Sequence, residues 1–314
     1  MWLNQSVWFY TPFLCSYTSE AILFIMWFLT FGWFFTVINI LGNSLVVYLI
    51  ITRHRLHVTA NWFVLSLALA DLFVGLSYFP LLFISSFFQE LAIDHTGVWF
   101  KVSHTFLYSS SANLCVLTAD RFIAITMPLK YTVFMTRRRL ILFIALAWIS
   151  PLILFTLPSI FTYSNENYSF TFIFETFRVL IFQLIPSVLF IFVIGRLCFI
   201  ARDVWRKEAF TLDQIRFNSA TQENAKRNTH AKKKSTSLKM IIFIISLFVL
   251  CHVGGNYRCF CFVFKLCVVP EPLKRAIHVL FVLNSAANPL VYAFWKTDMK
   301  RELKQMCFYG RCPC

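Results

Sequence analysis

One carboxylate in this sequence lies where water should be scarce. Asp71 is the only Asp, Glu, Lys or Arg within seven long stretches of apolar and neutral polar residues. An ionised carboxylate is costly in an apolar medium, so an acid at such a position is a candidate functional group. Two kinds of chemistry are open to it. An ionised Asp71 binds a hard cation together with other oxygen ligands, whereas a protonated Asp71 hydrogen-bonds between helices.

A second ionisable pair, Asp120-Arg121, stands at the end of the third apolar stretch. An Arg at the edge of such a stretch often only extends its charge toward water, but an adjacent carboxylate can also hold it in place. Elsewhere no nucleophile is accompanied by a base and an orienting group, and no cluster of metal ligands is evident. The sequence therefore does not predict an enzyme.

The elements that carry these residues must be membrane helices. Hydrophobic residues make up 59% of the chain and charged residues only 14%, against about 25% charged in a typical soluble domain. Because lipid cannot hydrogen-bond the backbone, each apolar stretch crosses it as a helix of roughly 20 residues. The chain is predicted to be an all-α membrane protein, a seven-transmembrane helix bundle followed by a short amphipathic helix. The predicted spans cover about residues 21–52, 59–88, 98–127, 138–161, 173–202, 234–262 and 272–295.

Basic residues predict the orientation of the bundle. With residues 1–20 outside the cell, only six of the 29 Lys and Arg residues lie on the outer side, as expected for a plasma-membrane protein with a cytoplasmic C-terminus. The net charge of +15 then indicates contact with anionic inner-leaflet lipid and not nucleic-acid binding. Two glycosylation sequons begin at Asn4 and Asn167, both in segments predicted to be outside.

The segment 296–314 is predicted to be an amphipathic helix and a cytoplasmic tail. Trp295, Met299, Leu303 and Met306 recur at helical spacing opposite Lys and Arg residues, so the helix should lie flat on the membrane. Cys307 follows it and is a candidate for palmitoylation, the alternative being an unmodified cytosolic thiol.

Short motifs occur in a fixed order across all seven predicted spans. In that order they resemble the rhodopsin-like (class A) G-protein-coupled receptors over about residues 20–308. The motifs are Gly42-Asn43, Leu67-Ala68-Leu69-Ala70-Asp71, Asp120-Arg121-Phe122, Pro128-Leu129 with Tyr131, Trp148, Pro186, Phe248 and Asn288-Pro289-Leu290-Val291-Tyr292.

The resemblance implies a cell-surface receptor that binds an extracellular ligand and activates heterotrimeric G proteins by outward movement of the sixth helix. It also implies arrestin and a receptor kinase as further partners, and no cofactor apart from an allosteric sodium ion. The implied coupling residues are Asp120, Arg121, Phe248, Asn288, Pro289 and Tyr292. The implied sodium site consists of Asp71, Ser110, Asn284, Ser285 and Asn288, with Asn43 as a supporting partner.

Two departures from the family pattern affect signalling. The sixth span carries Cys251-His252-Val253-Gly254 where the family has Cys-Trp-x-Pro, and Ile194 stands where a span-five tyrosine would meet Tyr292. A receptor-like protein that binds ligand without G-protein coupling is therefore an alternative. A transporter or channel is a further alternative, although its usual internal repeats are not visible.

The family's usual outer disulfide is absent, since neither Thr96 nor residues 163–173 supply a cysteine. Four other cysteines lie on the oxidising side, where disulfides persist. We expect a bridge between Cys15 and Cys267, or one within the third outer loop. The disulfide candidates are Cys15, Cys259, Cys261 and Cys267.

The ligand is predicted only by exclusion. Ser103 stands where aminergic receptors place an Asp, and Val282 stands where opsins place the retinal lysine, so neither a typical biogenic amine nor retinal is expected. Glu175 and Arg178 lie one turn apart, and two interpretations are open. The two side chains pair with each other, or Arg178 and His278 together bind a carboxylate or phosphate of the ligand. The latter favours a small acidic, peptide or lipid ligand. The predicted pocket consists of Tyr78, Ser103, His104, Leu107, Tyr108, Glu175, Arg178, His252, Asn256 and His278.

Overall fold

The computed structural model describes residues 19–87, 98–164, 168–217, 222–264 and 267–309, and these residues form helices without any strand. The spans are named here by their order along the chain. The first four are Ser19–Thr52, Thr59–Phe87, Val98–Thr126 and Arg137–Ser164. The fifth runs through Tyr168–Val179, a π-helical turn at Leu180–Leu184, and Ile185–Phe217. The sixth is Gln222–Phe264, the seventh Glu271–Trp295, and the eighth helix Thr297–Tyr309. Two short helices, His54–Leu56 and Pro128–Phe134, lie in the connections.

Six of the seven spans are long and apolar enough to cross a membrane in the part of the chain that the structure describes. The third span is the exception because it carries many polar groups, among them the buried Ser109, Ser110, Ser111 and Asn113. This helix packs against the second, fourth, fifth and sixth spans, which shield it from lipid. The all-α prediction of a seven-helix bundle is confirmed, and the least apolar span is the central one.

Polar contacts between spans supplement the apolar core of the bundle. Trp148 in the fourth span donates its Nε1–H to Ser66 Oγ in the second span (2.9 Å), and Ser66 donates to Asn113 Oδ1 in the third (2.6 Å). Hydroxyl and amide groups buried in this way must be bonded, since an unpaired one costs roughly 1–3 kcal/mol. Trp148, a family motif residue, therefore fixes the second, third and fourth spans relative to one another.

The eighth helix packs its apolar face, which the sequence analysis predicted to lie on the membrane, against the bundle. Met299 is buried, and Trp295, Leu303 and Met306 pack beside it on the cytoplasmic apolar core. That core also contains Phe248 of the sixth span and Tyr292 of the seventh, both fully buried.

Gly32 allows the first and second spans to approach closely. A Cβ added at this position would lie 1.8 Å from Phe79 Cζ. The Phe79 ring is itself held between Phe28 (centroids 5.3 Å apart) and Trp33 (5.6 Å), so it has no free space to enter. A side chain at position 32 would force the two helices apart.

We expect Gly32→Ala to lower the melting temperature of the detergent-solubilised protein, through an overpacking cost of about 1–3 kcal/mol. The matched control is Gly195→Ala, because nothing lies within 4 Å of an added Cβ there. The control should be neutral or stabilising by about 0.5–1 kcal/mol, since alanine favours a helix. Equal melting temperatures for the two variants would show that the first two spans are not in tight contact.

Candidate functional site

Asp71 lies at the centre of the bundle with no solvent exposure. Its Oδ1 accepts a hydrogen bond from Ser110 Oγ in the third span (2.5 Å), and its Oδ2 accepts one from Asn288 Nδ2 in the seventh span (2.8 Å). The two carboxylate oxygens therefore point to different helices. One side chain ties the second, third and seventh spans together.

Oxygen atoms without a partner surround this carboxylate. Asn43 donates its Nδ2 hydrogens to Asn39 Oδ1 (2.7 Å) and to the Ser285 carbonyl (3.3 Å). Within the described residues, Asn43 Oδ1, Ser285 Oγ and Tyr292 Oη are buried and have no hydrogen-bond partner. Asn284 is also buried, one residue before Ser285. A carboxylate, hydroxyls and amide oxygens are the ligands that hard cations prefer, so the residues present fit the predicted sodium site.

At the cytoplasmic end, Asp120 holds Arg121 and a loop tyrosine together. Arg121 donates to Asp120 Oδ2 from Nε (2.8 Å) and Nη2 (2.5 Å), and Tyr131 Oη donates to Asp120 Oδ1 (2.8 Å). Burial and the negative charge of Asp120 raise the pKa of Tyr131 to about 12, so its phenol remains a donor at physiological pH. Tyr131 belongs to the Pro128–Phe134 helix, which this bond fastens to the third span.

Lys296 brings a second cation to the same region. It donates from Nζ to Asn61 Oδ1 in the second span and stacks over the Tyr292 ring (5.8 Å to the centroid). Burial and the nearby charge of Arg121 lower the pKa of Lys296 to about 7. Both cations line a small cavity whose remaining wall includes Met240, Ile241, Ile244 and Ile245 of the sixth span. Lys296 could not be recognised as a site residue from the sequence, because its partner Asn61 is distant in the chain.

The altered segment of the sixth span is well packed. His252 stacks on Phe248 (centroids 3.7 Å apart), and its Nδ1 donates to the Phe248 carbonyl (2.9 Å). Phe248 in turn meets Phe190 of the fifth span edge to face. A Cβ on Gly254 would lie 2.8 Å from Ile277 Cγ1, so Gly254 lets the seventh span come close. His252 occupies the place of the family's tryptophan as a packed, bonded ring.

In the outer half, the second, third and seventh spans share an aromatic and imidazole cluster. Tyr78 Oη lies 2.6 Å from His278 Nδ1, and the Tyr78 ring is 5.2 Å from that of His104. His104 donates its Nδ1 hydrogen to the Phe100 carbonyl (2.9 Å). These three predicted pocket residues are therefore brought together.

Other predicted pocket residues face the fourth and fifth spans. The Tyr108 ring lies 5.4 Å from both Phe155 and Phe182, and the Arg178 guanidinium stacks over Phe155 (4.1 Å). His278 is hydrogen-bonded to Tyr78, whereas Arg178 stacks on Phe155, and joint binding of an anion by Arg178 and His278 stays a prediction. Ser103 is buried and bonded to the Phe100 carbonyl, and Leu107 lies in the outer apolar core.

The fifth and sixth spans enclose a cavity near the third outer loop. Asn256 donates to Ser187 Oγ (2.9 Å) beside it. Gln183 and Arg258 line it, and the sequence analysis named neither as a pocket residue. Arg258 is one of the six basic residues predicted on the outer side, and Gln183 is an isolated amide within an apolar stretch, which is the signal by which the sequence could have indicated it.

One disulfide, Cys261–Cys267, is formed within the described part of the chain, and Cys259 is a buried free thiol. Cys267 is therefore bonded to Cys261 and not to Cys15. The two bonded cysteines lie six positions apart in the chain, and their Cα atoms are 5.0 Å apart, as in ordinary disulfides. Several predicted positions lie outside the described residues or side chains. They are Asn4, Cys15, Asn167, Glu175 and Cys307.

The family described as 7 transmembrane receptor (rhodopsin family) matches residues 42–292. The chain belongs to this family. It is thus a G-protein-coupled receptor in a multi-pass membrane arrangement, and its family consists of receptors and not enzymes.

Relatives of this receptor match most of its length at low identity. It is 24% identical over 309 residues to octopamine receptor beta-2R of Chilo suppressalis, covering 88% of this chain and 78% of that receptor. It is 27% identical over 289 residues to trace amine-associated receptor 9 of Mus musculus, covering 84% of this chain and 80% of that receptor. A GQ-coupled rhodopsin of Mizuhopecten yessoensis is 26% identical over 308 residues, covering 92% of this chain but only 61% of that protein.

Tyr131→Phe should destabilise the receptor by about 1–2 kcal/mol, because it removes a hydrogen bond to a buried carboxylate. The measurement is the melting temperature in detergent micelles, with Tyr48→Phe as control because the Tyr48 side chain is 51% exposed. In the Asp120→Asn background the effect of Tyr131→Phe should shrink, since the charged acceptor is gone. An undiminished effect would mean that Tyr131 acts through packing alone.

Proposed function

We propose that this receptor lies in the plasma membrane with its N-terminus outside and activates a heterotrimeric G protein when its sixth span moves outward. The observation that carries the proposal is the position of Arg121. Its guanidinium is held by Asp120, is 23% exposed and lines a cavity closed on one side by the sixth span. An outward swing of that span removes Met240, Ile241 and Ile244 from the wall, so the cavity becomes a cytoplasmic cleft.

The tertiary contacts support such a two-state arrangement. In the state described here, Asp120 and Tyr131 hold Arg121 at the third span, while Asn61 holds Lys296 at the second. In the part of the chain that the structure describes, the side chains of the sixth span that line this cavity are apolar. Release of Arg121 toward a partner requires the loss of its hydrogen bonds to Asp120 and to Tyr131 Oη (3.4 Å).

The test is guanine-nucleotide exchange on a panel of purified G proteins, with the receptor in nanodiscs and a ligand library added. We expect exchange on at least one G protein, and a reduction of about tenfold or more in Arg121→Ala, which corresponds to the loss of one charged contact. Lys300→Ala, an exposed cation on the eighth helix, is the control and should retain exchange.

A receptor that binds ligand without coupling is the second candidate. The contact of the His252 ring with Phe281 of the seventh span (centroids 5.0 Å apart) and the close packing of Gly254 against Ile277 favour it, because both contacts fasten the sixth span to the seventh. Absence of exchange on every G protein, under every ligand tested, would support this candidate over coupling. Exchange that Arg121→Ala leaves unchanged would contradict the mechanism proposed for Arg121.

We further propose that Asp71, Ser110, Ser285, Asn284 and Asn288 bind a sodium ion. The unpartnered oxygen atoms of Ser285 and Asn43 beside the Asp71 carboxylate support this proposal. A bound cation would supply the positive charge that a buried, ionised carboxylate needs. Ser110 and Asn288 orient the two carboxylate oxygens, and Asn43 positions the Ser285 backbone.

Sodium chloride should raise the melting temperature of the receptor relative to N-methylglucamine chloride at the same ionic strength, because only the folded state holds the site. Asp71→Asn should abolish this sodium-specific increase, whereas Asp298→Asn on the eighth helix should preserve it. If the unmodified receptor shows no sodium effect, Asp71 is better described as a protonated hydrogen-bonding group.

The ligand is proposed to be neither a typical biogenic amine nor retinal, although the names of two relatives refer to octopamine and trace amines. At the position of the aminergic aspartate, Ser103 is bonded to its own helix, and no carboxylate lines the cavity in the part of the chain that the structure describes. An ammonium group would therefore lack a counter-charge there. Arrestin, a receptor kinase and anionic inner-leaflet lipid remain proposed partners.

A further inference from the structure

The cavity between the fifth and sixth spans has the composition of a binding site. Its volume is about 440 Å³, within the range of small-molecule pockets. Apolar groups form most of the wall, and the nitrogen-bearing side chains are few. The wall residues on which the inference depends are Val179, Gln183, Arg258, Phe262, Val269 and Lys274.

Gln183 supplies an unpartnered donor inside the bundle. The π-helical turn at Leu180–Leu184 leaves Gln183 only 3% exposed, and its Nε2 has no hydrogen-bond partner among the described residues. Such turns frequently occur at functional sites. A buried amide donor without a partner is unfavourable, so the retention of Gln183 points to a ligand or a bound water.

Gly255 on the sixth span makes room for this amide. A Cβ at position 255 would lie 2.3 Å from Gln183 Nε2 and 2.8 Å from Phe281 Cζ. Any larger residue would displace the Gln183 side chain. The π-helical turn in the fifth span and the lack of a side chain at Gly255 in the sixth span therefore both determine the position of the Gln183 amide.

Two cations line the cavity with this amide. Arg258 has no ion pair or hydrogen bond within the described residues, and it is partly buried. Lys274 pairs with Glu271 (2.6 Å), whose carboxylate is 70% exposed, so that pair lies at the mouth and is weak. Guanidinium, ammonium and amide N–H groups are all donors, and the first two are positively charged.

We infer that this cavity binds a small anionic amphiphile, with its carboxylate or phosphate head at Arg258 and the Gln183 amide and its apolar body against Val179, Phe262 and Val269. The inference rests on the proposed receptor function and specifies its ligand class. The head receives charge-assisted hydrogen bonds from Arg258, which can be bidentate, while Lys274 adds a second positive charge at the mouth. The apolar body replaces water along the aliphatic and aromatic wall.

The test measures binding directly, without a G protein, on the full-length receptor in phosphatidylcholine nanodiscs. The probes share one ten-carbon chain and differ in head: decanoate, decyl phosphate, decanol and decyltrimethylammonium. We expect saturable binding of decanoate, decyl phosphate or both, and clearly weaker binding of the neutral and cationic probes. A second experiment replaces part of the phosphatidylcholine by phosphatidylserine. Loss of decanoate binding would then identify bilayer lipid as the source of the anionic head group, whereas retained binding would identify a free ligand as the source.

Arg258→Gln should weaken binding of the anionic probes by about tenfold or more, because it removes a charged hydrogen-bonding partner. Gln183→Leu keeps the volume of the side chain and removes its hydrogen-bond donor, so it should weaken binding of the anionic probes to a smaller extent. This variant also tests the inference if Arg258→Gln fails to fold. Arg275→Gln is the matched control, because Arg275 stacks over Phe28 at the first span and does not line the cavity.

Equal binding of decanol and decanoate, or binding that neither Arg258→Gln nor Gln183→Leu reduces, would overturn the inference. Preferred binding of decyltrimethylammonium would overturn it as well and would favour a cationic ligand. A receptor that binds the anionic probes but fails to promote nucleotide exchange would contradict the proposed coupling alone. The two failures are therefore distinguishable.

Discussion

The Asp71 carboxylate is the interaction on which the arrangement of the bundle depends. It is fully buried, and its two oxygens accept hydrogen bonds from the third and seventh spans. A buried acid is tolerated only when its charge or its proton has partners, so the positions of Ser110 and Asn288 are constrained by the cost of leaving Asp71 alone. Because three spans meet at one group, a change in the occupancy or protonation of Asp71 reaches all three at once.

The cytoplasmic end shows a different balance between polar and apolar contacts. Asp120 and Asn61 restrain Arg121 and Lys296 through bonds made to the second and third spans and the loop helix. Among the described residues, the sixth-span side chains that line the cavity beside the two cations are apolar. Apolar surfaces separate without leaving an unpaired charge, so this wall of the cavity can open while those bonds persist. The central segment of the same span carries His252 and Gly254 in place of the usual tryptophan and proline.

The outer half combines two chemical environments. On one side, the Tyr78 hydroxyl is hydrogen-bonded to His278, while His104 contacts the Tyr78 ring and donates to the Phe100 carbonyl. On the other side, the Gln183 amide nitrogen and the Arg258 guanidinium have no hydrogen-bond partner among the described residues and lie beside an apolar wall. This difference locates the positively charged part of the outer half between the fifth and sixth spans, away from the second and seventh. The similarity to amine receptors extends over most of the chain. We propose that ligand selectivity depends on these few side chains.

The sequence by itself determined the membrane class and the helix count, because the length of each apolar stretch is a local property. The residues around Asp71 followed from the resemblance to the receptor family, whose motif positions this sequence shares. The sequence also anticipated the apolar face of the eighth helix from its 3.6-residue period. Only the tertiary structure decided which side chains meet. The bond between Lys296 and Asn61 joins residues far apart in the chain. The pairing of Cys261 with Cys267 depended on which thiols lie close together. The position of the buried Gln183 amide depends on a π-helical turn in its own helix and on Gly255 in another. Periodicity describes the face of one helix, but contacts between helices depend on their relative rotation and distance, which no local pattern records.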